Sequence, residues 1–348
     1  MNGDDATGHG ADEARPRVVD GPSGTRLAAA ALRAGDIVAI PTETVYGLAA
    51  DATNEHAIAK IFAVKGRPTN HPLIVHIGSA DQIDDWAVGI SDHARALADA
   101  FWPGPMTLLL RRSAKAIDAV TGGRDTVGLR VPAHPVALEL LKEFAGGVAA
   151  PSANRFGRVS PTTAAHVVTD LGTDISLVLD GGPCTVGVES TIIDVSGDTP
   201  VVLRPGGLSL EMISEVLGFR PVVEQPSAPV GESRAPGTLA MHYAPKARVV
   251  IASMETLSET FAGVLGAGPG TVGLLSPASV GDVPDEVVVL EPAGGPEDYA
   301  EVLYARLRQA DRLGLAVLVC VPPSPEGLGL AVLDRLQRAA AAGMSAGE

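Results

Sequence analysis

The stretch from Ile40 to Ile77, IPTETVYGLAADATNEHAIAKIFAVKGRPTNHPLIVHI, restricts the fold more than any other part of the chain. It reads as a strand end (Ile37 to Ile40), a polar loop, a helix from about Asn54, a cationic turn and a second strand. Ala57, Ile58, Ile61 and Phe62 share one helical face, and Gly66 stands where a helix closes in left-handed backbone. The loop sets Thr42, Glu43, Thr44 and Tyr46 just past the carboxyl end of the first strand, the edge at which open α/β sheets bind ligands. Lys65 and Arg67 crowd the turn, and Pro68 and Pro72 fix the chain around them. Lys65 alone would complement a helix C-terminus. Lys65, Gly66, Arg67 and Pro68 as a unit after PTETVYG point to an anion.

The remaining segments extend this α/β pattern. Asp36 to Ile40, Met106 to Leu110, Thr126 to Val131, Gly147 to Ala150, Ile175 to Leu179, Val188 to Val195 and Val201 to Arg204 read as strands. The last two form an antiparallel pair around Gly197 and Asp198. Ser79 with Gln82 forms a capping box that opens a helix through about Val88. Ser91 opens another that stops at FWPGP, and Pro135 starts a third. A second polar loop, PSANRFGRVSPTT, gathers Ser152, Asn154, Arg155, Arg158 and Ser160, and Thr162 or Thr163 then caps a helix. Residues 221–245 hold five prolines and little periodicity, the signature of a functional linker. Beyond them, four strands alternate with helices near 256–265, 297–313 and 327–341, as in a small parallel α/β domain. The expected division is a disordered tail over 1–17, a catalytic domain over 18–220, a linker or lid over 221–245 and a C-terminal domain over 246–348.

Composition narrows the function. The formal charge of −15 and an aromatic content of 3% oppose an extended basic or base-stacking face. Any contact with nucleic acid is therefore expected to be weak or indirect. The chain has no run of eighteen apolar residues and no signal-like N-terminus, and Cys184 and Cys320 lack metal-ligand spacing. A cytoplasmic protein without a membrane span or a protein-built metal site is the expectation. There is no GxxxxGK[ST] phosphate loop, and Ser152 lacks a GxSxG elbow. What remains is a set of hydroxyls, one amide and cationic groups at successive strand ends: Thr42, Thr44, Lys65, Arg67, His76, Arg130, Ser152, Asn154, Ser190 and Arg204. Guanidinium forks and an ammonium suit a small polyanion carrying phosphate and carboxylate.

IPTETVYGLAAD, KGRPTNHPLIVHI, FWPGPMTLLL, VGLRVPAHP, APSANRFGRVSPT, VESTIIDV and LRPG follow one another in this order. Together they resemble the YrdC-type threonylcarbamoyl-AMP synthases, and SRAPGTLAMHYAPKA with the hundred residues after it resembles their long, two-domain form. The resemblance implies a twisted, mostly parallel α/β catalytic domain with a concave cavity, a crossing linker and a Rossmann-like C-terminal domain. The implied reaction joins L-threonine, bicarbonate or CO2 and ATP into threonylcarbamoyl-AMP and pyrophosphate, with Mg²⁺ on the ATP phosphates. The product would pass to a separate tRNA threonylcarbamoyl transferase. By the same resemblance Lys65, Arg67, Ser152 and Asn154 form the catalytic tetrad. Arg67, His71, Thr126, Ser152, Ser160, Arg204 and Tyr243 would bind ATP, although His71 stands where the family often has Asn. Thr44, His76, Arg130, Ala150 and Ser190 would bind threonine. An RNA-binding module of the same fold is the alternative. The carbamoyl-transfer domains of hydrogenase maturation proteins share the core but carry zinc-binding cysteines, which two isolated cysteines do not supply.

Overall fold

Helix Glu55–Lys65 forms where the apolar spacing predicts it. Asn54 caps it by accepting the Ala57 N–H, and Gly66 closes it at φ 63°. This computed structural model describes residues 15–224, 234–237, 242–266 and 270–345. The tail before residue 15 and the linker segments 225–233 and 238–241 lie outside the described residues.

Eleven strands build the large sheet: β1 (Arg17–Val19), β2 (Val38–Ile40), β3 (Gly47–Asp51), β4 (Ile74–His76), β5 (Met106–Arg111), β6 (Thr126–Arg130), β7 (Val148–Ala149), β8 (Leu177–Leu179), β9 (Thr191–Asp194), β10 (Val201–Arg204) and β11 (Val222–Val223). Their order is β1-β8-β2-β3-β7-β4-β6-β5-β9-β10-β11. Parallel pairing joins β1 to β8, β8 to β2, β4 to β6, β5 to β9 and β10 to β11, and the other neighbours run antiparallel. A second sheet of β12 (Arg248–Ile251), β13 (Val272–Leu275), β14 (Val287–Val289) and β15 (Val317–Cys320) is parallel throughout, in the order β12-β15-β13-β14.

Several boundaries differ from the sequence reading. Gly47–Asp51 is a strand antiparallel to β2, so the PTETVY loop is a return between neighbours and not the lead-in to a helix. Its composition, GLAAD, has little strand propensity, and burial on both sides decides its conformation. Arg17 lies in β1, so the ordered domain reaches into the expected tail. Val222 and Val223 pair with β10, so the linker begins only after them. The capping box of Ser79 and Gln82 is present, but it opens one turn of 3₁₀ helix and a single α-turn, Ile83–Trp86. Among the described residues no helix is long and apolar enough to cross a membrane.

Two faces of the large sheet are treated differently. Helix Glu55–Lys65 and its neighbours bury one face in the main core around Tyr46, Leu48, Val75, Leu108, Leu129 and Ile193. On the other face, helices Gly21–Arg33 and Pro135–Phe144 cover only the end that carries Ile40, Ala49 and Leu179. Further along that face Ile74, Leu109, Ile192 and Leu203 are covered by Ala235 of the linker. The C-terminal domain closes the arrangement. Its helix Pro296–Arg312 packs Tyr299, Leu303 and Tyr304 with Val45, Val159 and Val188 of the catalytic domain into one apolar cluster. Gly187 permits this approach: its φ is +78°, and a Cβ there would sit 2.4 Å from the Ala300 carbonyl oxygen.

Candidate active site

Residue alternation along β4 puts Ile74 and His76 on the same side of the sheet. Both face a solvent-open cavity of about 550 Å³, a figure that includes the space at its mouth. The cavity therefore lies across a face of the central strands and not only beyond their carboxyl ends. Thr42, Thr44, Arg67, Arg130, Ala150, Ser152, Glu189, Ser190 and Arg204 line it from the catalytic domain, and Pro236, Gly237, His242 and Tyr243 from the linker. These four linker residues thus border the cavity. They are anchored there: Arg204 Nη1 donates to Pro236 O at 2.8 Å, and Ala244 N donates to Gly157 O at 2.9 Å. Tyr243 holds a left-handed backbone at φ 61°, which a non-glycine residue keeps only under tertiary constraint.

Register places Arg130 beside His76 at the ends of β6 and β4. The Arg130 guanidinium is held on three sides. Nε donates to Gly104 O at 3.2 Å, Nη1 donates to Thr44 Oγ1 at 2.9 Å, and Nη2 lies 2.7 Å from Glu43 Oε1. That last contact is an ion pair by distance but lacks hydrogen-bond alignment, so Nη2 and both Glu43 oxygens are buried without a hydrogen-bond partner. His76 Nδ1 is unpartnered as well. Elsewhere in the cavity Arg67 donates from Nη2 to Pro72 O at 2.9 Å, and its Nε has no partner. Arg204 donates to Ser190 O from Nη2 at 2.8 Å and from Nε at 3.2 Å. Burial, and then the charge of Arg204, lower the pKa of Arg67 to about 10, which leaves it cationic at neutral pH.

Nine of the expected site residues converge here: Thr44, Arg67, His76, Arg130, Ala150, Ser152, Ser190, Arg204 and Tyr243. Five do not line the cavity. Lys65 is buried behind the second loop, where Nζ donates to Ser152 O at 2.5 Å and Asn154 O at 2.6 Å. Asn154 turns its amide to the carbonyls of Arg155 and Arg158, so it shapes the loop from within. His71 packs edge-on against Phe156. Ser160 donates to Glu189 Oε1 at 2.7 Å. Thr126 pairs with Arg111 at the far end of the strand that delivers Arg130. These five contact other protein groups and not the open space.

The sequence reading gave no role to Glu189, His242, Tyr304 or Arg335. Glu189 lies next to Ser190 in VESTIIDV and His242 next to Tyr243 in HYAP, so adjacency was a usable signal for both. Tyr304 and Arg335 come from the C-terminal domain and had none. Glu189 accepts from Tyr304 Oη at 2.7 Å and from Arg335 Nε at 2.7 Å. Burial would raise its pKa, but the charges of Arg335 and Arg204 prevail and hold it down to about 2.

Relatives can now be placed beside this geometry. Residues 30–206 match the Sua5_yciO_yrdC family, described as "Telomere recombination", and residues 208–341 match the "Threonylcarbamoyl-AMP synthase, C-terminal domain". The chain is 43% identical to a threonylcarbamoyl-AMP synthase of Pyrococcus abyssi, over 90% of this chain and 93% of that protein. The chain belongs to the threonylcarbamoyl-AMP synthase family. A Bacillus subtilis threonylcarbamoyl-AMP synthase is 40% identical over 90% of this chain and 92% of its own length. The crystal structure of P. abyssi Sua5 complexed with L-threonine superposes with a TM-score of 0.87 at 40% identity, covering 94% of this chain and 98% of that one. The family's enzymes are of the nucleotidyl-transfer type, and this chain carries both of their domains.

The histidines give the fold a pH dependence. Burial, followed by a neighbouring arginine, depresses His71 to about 4, His76 to about 3 and His166 to about 4. Burial also lowers His242 to about 3, where Arg67 and Lys65 work against the opposing pull of Glu189. All four are neutral in the folded protein at pH 7. In the unfolded chain they take up protons near pH 6.5. Below that value the unfolded state binds more protons than the folded one, so stability falls as pH falls. The melting temperature should therefore drop already between about pH 6.5 and 5, above the range where carboxylates titrate. A melting temperature constant across that interval would show that these imidazoles are not held neutral.

Proposed function

We propose that the cavity makes threonylcarbamoyl-AMP and pyrophosphate from L-threonine, bicarbonate or CO2, and ATP, for the threonylcarbamoyladenosine modification of tRNA. The observation that carries this reading is the convergence of three buried guanidinium groups, Arg67, Arg130 and Arg204, from separate segments on one cavity. Arg130, with Thr44, His76 and Ser190 around it, suits an amino acid: a carboxylate would satisfy the unaligned Nη2, and hydroxyls and imidazole would orient the rest. Arg67 and Arg204 with Ser152 suit a triphosphate. A threonine carbamate held between the two would attack the α-phosphorus through its oxygen, breaking the bond to the β-phosphate oxygen and releasing pyrophosphate. Such chemistry needs in-line positioning and fixed positive charge more than a protein nucleophile.

ATP is taken as its Mg²⁺ complex. Glu189 in the cavity wall and Glu43 beside Arg130 are both paired with arginines, so magnesium would be held by the substrate's phosphates. The product would then pass to a tRNA threonylcarbamoyl transferase in the cytoplasm. Purified protein should release pyrophosphate only when L-threonine, bicarbonate and Mg-ATP are all present. Release that persists without threonine, or no release from folded protein with all three, would defeat the proposal.

A further inference from the structure

Among the described residues Arg335 is the largest charged side chain with no solvent exposure. It belongs to helix Gly329–Ser345 of the C-terminal domain, yet it reaches three parts of the active site. Nε donates to Glu189 Oε2 at 2.7 Å, Nη2 donates to Pro205 O at 3.1 Å, and the guanidinium lies 5.0 Å from the centre of the Tyr243 ring. Nη1 pairs with Asp334, whose carboxylate also accepts from Arg338 Nε at 2.9 Å and Nη2 at 2.8 Å. Among the described residues two arginines thus face two carboxylates in one buried block.

The pairing matters because Glu189 is an acid in the wall of a cavity built for anions. Its near cationic neighbour on the cavity side is Arg204, which also lines that wall. If Arg335 were removed, Arg338 would still neutralise Asp334. Glu189 would be left with only the hydroxyls of Ser160 and Tyr304. An uncompensated buried carboxylate is costly and turns to the nearest cation. Here the cation that shares its cavity wall is Arg204.

We propose that Arg335 is a positioning residue for the nucleotide: by neutralising Glu189 from the C-terminal domain, it keeps that carboxylate from pairing with Arg204, whose charge then acts on the ATP phosphates. The inference rests on the proposed reaction and deepens it, because it gives the second domain a defined task in nucleotide binding. Among the described residues Arg130 pairs with Glu43 and not with the block, whereas Ser190 is held by Arg204, so threonine binding should feel the loss of Arg335 less than ATP binding does.

The test is steady-state kinetics of pyrophosphate release by the full-length enzyme, with each substrate varied in turn. Arg335→Met should raise KM for Mg-ATP roughly tenfold or more and KM for threonine by a clearly smaller factor. Adding Glu189→Gln to Arg335→Met removes the stranded charge and should restore most of the ATP affinity, which no purely structural role predicts. Glu189→Gln alone should lower KM for Mg-ATP, and it carries the test if Arg335→Met does not fold. Equal losses for both substrates in folded Arg335→Met, no recovery in the double variant, or a raised KM for ATP in Glu189→Gln would each overturn the role of Arg335. A wild-type enzyme that releases no pyrophosphate would instead defeat the reaction itself.

Discussion

Arg67→Met should reduce pyrophosphate release by two to three orders of magnitude while the melting temperature stays level or rises. The two halves of this expectation have one cause. The Arg67 guanidinium is buried, makes a single hydrogen bond to Pro72 O, leaves Nε unpartnered and shares its cavity with the like charge of Arg204. Among the described residues it has no carboxylate partner, so replacing this desolvated cation with a side chain of similar length relieves a cost. A charge-assisted contact to the reacting phosphates would be lost at the same time, and losses of roughly 10²–10³ in rate follow removal of one such stabilising donor. Arg67→Lys should fall between, since it keeps the charge but loses the planar fork. Thermal melts and turnover measured on the same preparations check both signs. Undiminished activity in Arg67→Met would remove this residue from the phosphate site.

Most of the fold was legible because local signals and burial agreed. Asn54 and Gly66 bound the helix they were expected to bound, Thr163 and Ser209 cap the helices after them, and the C-terminal strands and helices fall where the alternation put them. The failures have a common origin in tertiary context. Gly47–Asp51 is a strand although its residues prefer other conformations, because it is sandwiched between β2 and β7. At the site, residues whose polar atoms emerge from strand ends or alternate along one face could be located from sequence: Arg130, His76, Ser190 and Arg204 all line the cavity. Residues of the two glycine- and proline-rich loops could not be resolved into those that face the cavity and those that hold the loop. Arg67 and Ser152 face it, whereas Lys65 and Asn154 hold the loop, although the four lie together in motif space. Nothing local distinguishes an ammonium that meets a phosphate from one that meets two carbonyls. Arg335 is the extreme case, reaching Glu189 across 146 positions of sequence.

That distinction makes Lys65 the second decisive position, with an outcome opposite to that of Arg67. Two of its three N–H donors are spent on the carbonyls of Ser152 and Asn154, and in return Phe156 N donates to the Lys65 carbonyl at 2.8 Å. The end of helix Glu55–Lys65 and the loop that carries Ser152 are therefore tied in both directions. Burial, and then the charge of Arg67, lower the Lys65 pKa well below its ordinary value against the opposing pull of Asp170, and the two carbonyls are the hydrogen-bond acceptors that hold its ammonium. Lys65→Met would keep the length of the side chain and strand two buried carbonyls, at about 1–3 kcal/mol each. The protein should be destabilised by about 2–5 kcal/mol. Ser152, released from its position opposite Gly47, should lose its aim at the cavity, and turnover should fall with the stability. Denaturant unfolding and pyrophosphate release together separate the two roles. If Lys65→Met unfolds at the wild-type denaturant concentration yet is inactive, the ammonium acts on the substrate directly and the bracing role assigned to it here is wrong.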